Sequence, residues 1–292
     1  MPEPSRDPAV EQFGAEGMRR FHVGATFGVR LPEPTRTGLE ETGVPVLVPP
    51  YFTAAGESDA LQLGTFAAQA GLPRPALGFE GWPRVGHDGL AHLCVRPDGA
   101  VQAVMLEGGE EDLFVSSDLE AFNASLAVLD RVLPVIATSS GLAEAAGVFR
   151  ELNEALRGID AGAFGEREGW WPRVLDDVRH TLNFPFSAAF EYVDGAGEKH
   201  IVTGATGPGR AHPEELVWRE LSDQGVAPGQ VRRVFCELQA CMMPGHYCAV
   251  WMQRLFPQAE FTHAFDYGSD AESREAGLKA LITRAAEQAG RG

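Results

Sequence analysis

Three things are scarce in this 292-residue chain, and each scarcity excludes something. The N-terminus has no positively charged stretch followed by an apolar one, so it does not read as a secretory leader. Long apolar runs are also missing: Val44-Pro45-Val46-Leu47-Val48 is far too short to cross a bilayer. A soluble, cytoplasmic chain that does not engage a membrane is the expectation. Basic charge is the third shortage, with 24 Lys and Arg against 41 Asp and Glu and a net charge of −17. Nucleic-acid binders are usually basic, so tight nonspecific binding to duplex is disfavoured. A small substrate, or a single strand held by a local patch, remains compatible. The deficit is uneven, −12 over residues 1–160 and −5 over residues 161–292. The more acidic N-terminal part suits a region that competes with nucleic acid for the rest.

Cysteine is sparse as well, but its placement is informative. Of the four, Cys236, Cys241 and Cys248 crowd into 13 residues, which is metal-like clustering rather than a distributed disulfide framework. Cys94, within Ala91-His92-Leu93-Cys94-Val95, reads as a buried core thiol. A hydrophobic content of 44% supports folded cores, and the length suits two domains.

Two segments carry the chemistry. Ala211-His212-Pro213-Glu214-Glu215 opens a helical pattern, and a gap of 26 residues separates Glu214 from Cys241, which is followed by six residues and Cys248. One His and two Cys are a natural three-ligand set for a catalytic zinc, with the fourth tetrahedral position left for water. A carboxylate two residues from the His can carry protons between that water and a substrate. Pro213 is tolerated in a first helical turn because its missing N–H would have had no partner there. Cys248 opens the next helix, where the positive end of the dipole favours a thiolate. Other readings stand beside this one. Cys241 and Cys248 could pair as a disulfide, Cys236 reads as a strand-borne core thiol, His246 could replace a cysteine as ligand, and Glu214 could be a simple N-terminal helix charge.

H-x-E followed by a Cys pair, each at a helix start, resembles the zinc-dependent nucleoside and nucleic-acid deaminases. Within it, Glu237-Leu238-Gln239-Ala240-Cys241-Met242-Met243-Pro244-Gly245-His246-Tyr247-Cys248 resembles the deaminase domains of bacterial polymorphic toxin systems. The resemblance covers roughly residues 183–292. It implies Zn2+ as cofactor, His212, Cys241 and Cys248 as its ligands, and Glu214 as proton shuttle. Two features depart from the family pattern. Ala240 stands where a proline usually precedes the first cysteine, and the cysteines are six residues apart rather than two.

Upstream, residues 1–20 are polar and suit at most a short helix. Short β-like runs follow at Phe27–Leu31 and Val46–Val48, then Leu90–Val95, Ala100–Leu106 and Leu113–Val115, with Pro97-Asp98-Gly99 as a hairpin turn. Ser116-Ser117-Asp118 offers caps for an amphipathic helix over Leu119–Val132. Val48-Pro49-Pro50-Tyr51-Phe52, the hairpin around Pro97 and the stretch Phe114–Leu126 resemble the SUKH superfamily, immunity-protein-like domains found beside toxin genes. That resemblance spans roughly residues 20–180 and implies an α+β binding domain rather than a catalytic one. Helices are expected over Gly141–Arg157 and from Trp170 to Thr181, with Trp170 and Trp171 as packing residues. From Phe184 onward the order β-β-α-β-α-β-α matches the cytidine-deaminase core, a mixed α/β sheet flanked by helices. The expected domains are 1–180 and 181–292.

The expected activity is hydrolytic deamination of cytosine in nucleic acid or nucleotides within a toxin/immunity system, with a nucleotide or single strand as substrate and a toxin or immunity protein as partner. Phe265 or Tyr267, in the loop after the last strand, would stack on a base, and Arg210 would contact sugar or phosphate. A catalytically idle deaminase-fold binding protein, and a deaminase of free nucleosides, are the competing readings.

Overall fold

Short β-prone runs separated by Gly and Pro turns pair most readily with their sequence neighbours. In this computed structural model, which describes residues 7–24, 29–107, 111–183 and 185–289, six of them do so. Strands Leu47–Val48, Phe52–Ala54, Arg84–His87, His92–Val95, Val101–Val104 and Leu113–Ser116 form one antiparallel sheet in sequence order. Gly99, at φ 93°, supplies the left-handed residue of the expected hairpin turn. The expected run at Phe27–Leu31 is not a strand over Val29–Leu31, and Phe27 and Gly28 lie outside the described residues. Two prolines explain the difference: Pro32 and Pro34 flank the start of a short helix, Glu33–Thr37, where a missing N–H is harmless.

The helix predicted over Leu119–Val132 runs on to Thr138, straight through Pro134. Its apolar face lies mainly before the proline: Phe122, Leu126 and Leu129 are fully buried, and Phe122 meets Phe52 edge to face at 5.3 Å. Beyond Pro134, Ile136 is buried and Val135 is exposed. By length and composition alone this helix is apolar enough to cross a membrane, and 44% of its window is buried inside the structure. Helices Leu142–Ile159 and Trp170–Asn183 follow.

Backbone contacts divide the chain into two units, Met1–Val135 with Gly147–Val174, and Ile136–Ala146 with Leu175–Gly292. The Trp170–Asn183 helix is thus split after Val174. In the first unit Trp170 and Trp171 pack edge to face, both buried, and the Trp170 indole donates to Asp88 at 2.7 Å.

The second unit follows the expected order of elements. Its sheet runs Lys199–Ala205, Ser187–Val193, Val231–Leu238, Glu260–Phe265, antiparallel at the first two interfaces and parallel at the third. A parallel pair needs a crossover, and here it contains the helix Cys248–Leu255. Alternation along the central strand buries Val234, Cys236 and Leu238. Phe190 from the neighbouring strand packs on Phe256, and Val217, Leu221 and Met252 from two helices complete the core beside them. The α+β and α/β classes read from sequence therefore describe the two units.

Candidate active site

Two helix starts converge beside the C-terminal end of the central strand. His212 is the N-cap of the helix Pro213–Asp223, in extended conformation, and its amide donates to Glu215 Oε2 at 2.9 Å. This capping arrangement holds the residue that precedes the helix, with Pro213 and Glu214 in the first turn. The second start needs a tight excursion of the chain. Gly245, at φ 82°, and Tyr247, at φ 44°, turn the backbone twice between the cysteines. A non-glycine residue in the left-handed region costs about 1–2 kcal/mol. The bond from the Ala249 amide to the Cys241 carbonyl at 3.1 Å, with Tyr247 itself buried, helps hold the turn. The result places both cysteines against one imidazole.

His212 Nδ1 lies 3.3 Å from Cys241 Sγ and 3.5 Å from Cys248 Sγ, and the three ligand atoms fall within 4.8 Å of one another. Tetrahedral zinc with bonds of about 2.0 Å to nitrogen and 2.3 Å to sulfur sets N···S edges of roughly 3.5 Å. The donors present fit such an ion. All four cysteines are free, so the Cys241–Cys248 disulfide is not formed.

The electrostatics have the same focus. Burial opposes ionisation of Cys241, yet the Cys248 thiol and the His212 charge hold its thiol well below the ordinary cysteine range. Cys248, under burial and beside that thiolate, is pushed well above it. His212 is raised well above an ordinary histidine despite its burial, by Cys241 and Asp177. Glu214, 2% exposed, has its carboxyl raised chiefly by burial, and its Oε2 has no hydrogen-bond partner. Cys236, the buried strand thiol, is itself pushed up by burial and by the Glu214 charge. A buried carboxyl with one unfilled oxygen, next to a cation site, is poised to meet a water or a substrate atom.

His246 forms a second candidate cluster with Asp177 and His212. Its Nε2 faces Asp177 Oδ2 at 3.1 Å and its Nδ1 faces Glu215 Oε2 at 2.7 Å. With a carboxylate at each nitrogen its pKa is raised to about 9 against the pull of burial and of His212. Its ring stacks flat on His212, with centroids 3.9 Å apart and planes 6° apart.

The structure brings His212, Glu214, Cys241 and Cys248 together. Tyr267 is 4% exposed and its hydroxyl pairs with His180 Nδ1, so its ring faces the core. Phe265 ends its strand half-buried against that core. Arg210 is exposed, two residues before His212.

Asp177 is what motif reading missed. It accepts from His212 Nε2 at 2.9 Å, and both its partners being histidines holds it well below the usual carboxylate range in spite of full burial. A signal existed. In Trp170–Asn183 the buried stripe is Trp170, Trp171, Val174 and Val178, and Asp177 falls on it where an apolar residue belongs. A charge on an apolar stripe is the informative exception.

Two family models match the chain. Residues 185–284 match that of the Xanthomonas-like deaminase, and residues 4–177 match that of the SUKH-4 immunity protein. No curated protein and no solved structure matches. The SUKH-4 match covers more than half of the 292 residues, and the deaminase match takes in the two converging helix starts. The chain belongs to the SUKH-4 immunity protein family and carries a deaminase-family domain behind its immunity domain.

Proposed function

We propose that this chain is a zinc-dependent hydrolytic deaminase that acts on cytosine in nucleic acid or nucleotides as part of a toxin/immunity system. The observation that carries the reading is Glu214, a buried carboxyl with one unfilled oxygen at the helix start that also presents His212 to two cysteine sulfurs. Zinc, when bound by His212, Cys241 and Cys248, supplies a Lewis acid that lowers the pKa of water to about 7. The carboxyl of Glu214 accepts one proton from the attacking water and delivers it to the ring nitrogen. It then moves the remaining water proton to the exocyclic amine as the C–N bond breaks. Water is consumed, and a carbonyl and ammonia are produced. The elevated carboxyl pKa suits a group that must accept and return protons near neutrality.

Among the described residues, the candidate metal-ligand clusters all fall in the second unit. The SUKH-4 match to an immunity protein supports a binding or regulating role for that segment. The acidic balance of the chain supports a nucleotide or a single strand over duplex as substrate.

The test is ammonia release by the full chain over free nucleosides, nucleotides, single- and double-stranded DNA and RNA, with zinc content measured in parallel. Turnover on a cytosine substrate that is lost in Glu214→Gln, while zinc stays bound, is the expected result. Zinc bound with no turnover on any member of the panel would replace this reading with a catalytically idle binding protein.

A further inference from the structure

The deaminase match begins at residue 185 and the SUKH-4 match ends at residue 177. The side chain that braces the candidate metal ligand lies at that junction. Asp177 Oδ1 accepts a hydrogen bond from His212 Nε2 at 2.9 Å, and its Oδ2 faces His246 Nε2 at 3.1 Å. His246 Nδ1 reaches Glu215 Oε2 at 2.7 Å, and the same oxygen accepts the His212 amide at 2.9 Å. These contacts close a ring: ligand ring, Asp177, His246, Glu215, ligand backbone. Asp177, His212 and His246 are each buried, and Glu215 is partly exposed.

Such a ring does two things for His212. A carboxylate at Nε2 fixes the proton there, which leaves the Nδ1 lone pair facing the sulfurs. The stacked His246 and the bonded backbone amide fix the plane of the ring. Metal-binding histidines commonly donate their second N–H in this way, and loss of the acceptor costs about 10–100-fold in metal affinity.

Resting on the metal reading above, we propose that Asp177 is the positioning carboxylate of the metal centre, so that the working deaminase unit starts upstream of Asp177 and includes the end of the SUKH-4-matched segment. A deaminase delimited at residue 181 or 185 would keep every motif residue and lack this brace. The companion bonds from His246 and Glu215 come from within the matched deaminase segment; the carboxylate that joins them to His212 does not.

The test uses the full chain and zinc affinity measured by chelator competition. Asp177→Asn is expected to bind zinc about 10–100-fold more weakly than wild type. Asp176→Asn, on the same helix, is the control: its carboxylate faces Arg179 one turn on and Arg274 of the helix Ala271–Ala289, and its zinc affinity should stay within about twofold. Unchanged affinity in folded Asp177→Asn, or an equal loss in both variants, would overturn the proposal. A second arm needs no variant to fold. In 15N-histidine spectra of zinc-loaded wild type, the His212 imidazole should carry its proton on Nε2, and a proton on Nδ1 would overturn the proposal. Absence of stoichiometric zinc from wild type would instead overturn the metal reading, a distinct failure.

Discussion

The buried carboxylates of the first unit differ from Glu214 in the second. In the first, Asp160 accepts from the Ser117 hydroxyl and the Ala163 amide with one oxygen, and from the Ser116 hydroxyl and the Ser117 amide with the other. Asp88 is filled likewise, by the Ala91 amide on one oxygen and the Trp170 indole on the other. In the second unit Glu214 is as deeply buried, and one of its oxygens has no partner. Burial of an acid therefore does not mark a functional site by itself. Filled oxygens staple loops and strands together, whereas an unfilled one keeps its energy for something that has yet to arrive.

Paired substitutions test this difference most strongly. Glu214→Gln should lower turnover by about 10²–10⁴-fold and leave the unfolding midpoint of the chain nearly unchanged. Asp160→Asn should do the reverse. It replaces an acceptor of two bonds by a donor, at a cost of roughly 2–3 kcal/mol, and turnover per folded molecule should hold. Ammonia release beside denaturant titration separates the two outcomes. Loss of stability in Glu214→Gln, or of turnover in Asp160→Asn, would erase the distinction.

A weaker contrast comes from pH, because here the units should behave alike. His92 in the first and His180 in the second are both buried, and burial lowers each to about 4. Each is neutral in the folded chain down to that pH, while the unfolded chain binds a proton near 6.5. The sign follows: the contribution is intact above pH 6.5 and is lost as pH falls from 6.5 toward 4, on the order of 2 kcal/mol for each group. Trp82, Trp170 and Trp171 report on the first unit and Trp218 and Trp251 on the second. Both transitions should weaken over that window, and a response confined to one unit would show that the two histidines are not buried alike.

Legibility in the sequence tracked the distance over which each feature is decided. The second unit's strands and helices were readable because Gly and Pro bound them and their alternation is local. His212, Glu214, Cys241 and Cys248 were readable because each pair sits at one helix start, where spacing fixes geometry. The helix end at Thr138 was not, since Pro134 argues locally for a stop and the helix runs through it. Asp177 was hidden for another reason. Its partners lie 35 and 69 residues on, at His212 and His246, and no spacing rule links them.

Tyr267 is the smallest and most specific case. The loop after the last strand suggested a ring free to stack on a base, yet the hydroxyl pairs with His180, 87 residues earlier in the chain. Burial pushes that phenol well above its ordinary range, so it stays a neutral partner to the imidazole. Tyr267→Phe removes the hydroxyl and keeps the ring. A structural role predicts a loss of about 1 kcal/mol from the one broken bond, with kcat and KM within about twofold of wild type. A stacking role predicts the same small change in Phe but a large rise in KM in Tyr267→Leu, since the aromatic face is worth about 1–3 kcal/mol per base. The inward ring favours the first outcome: Tyr267→Leu should lower the unfolding midpoint of the second unit and leave KM for the folded enzyme unchanged.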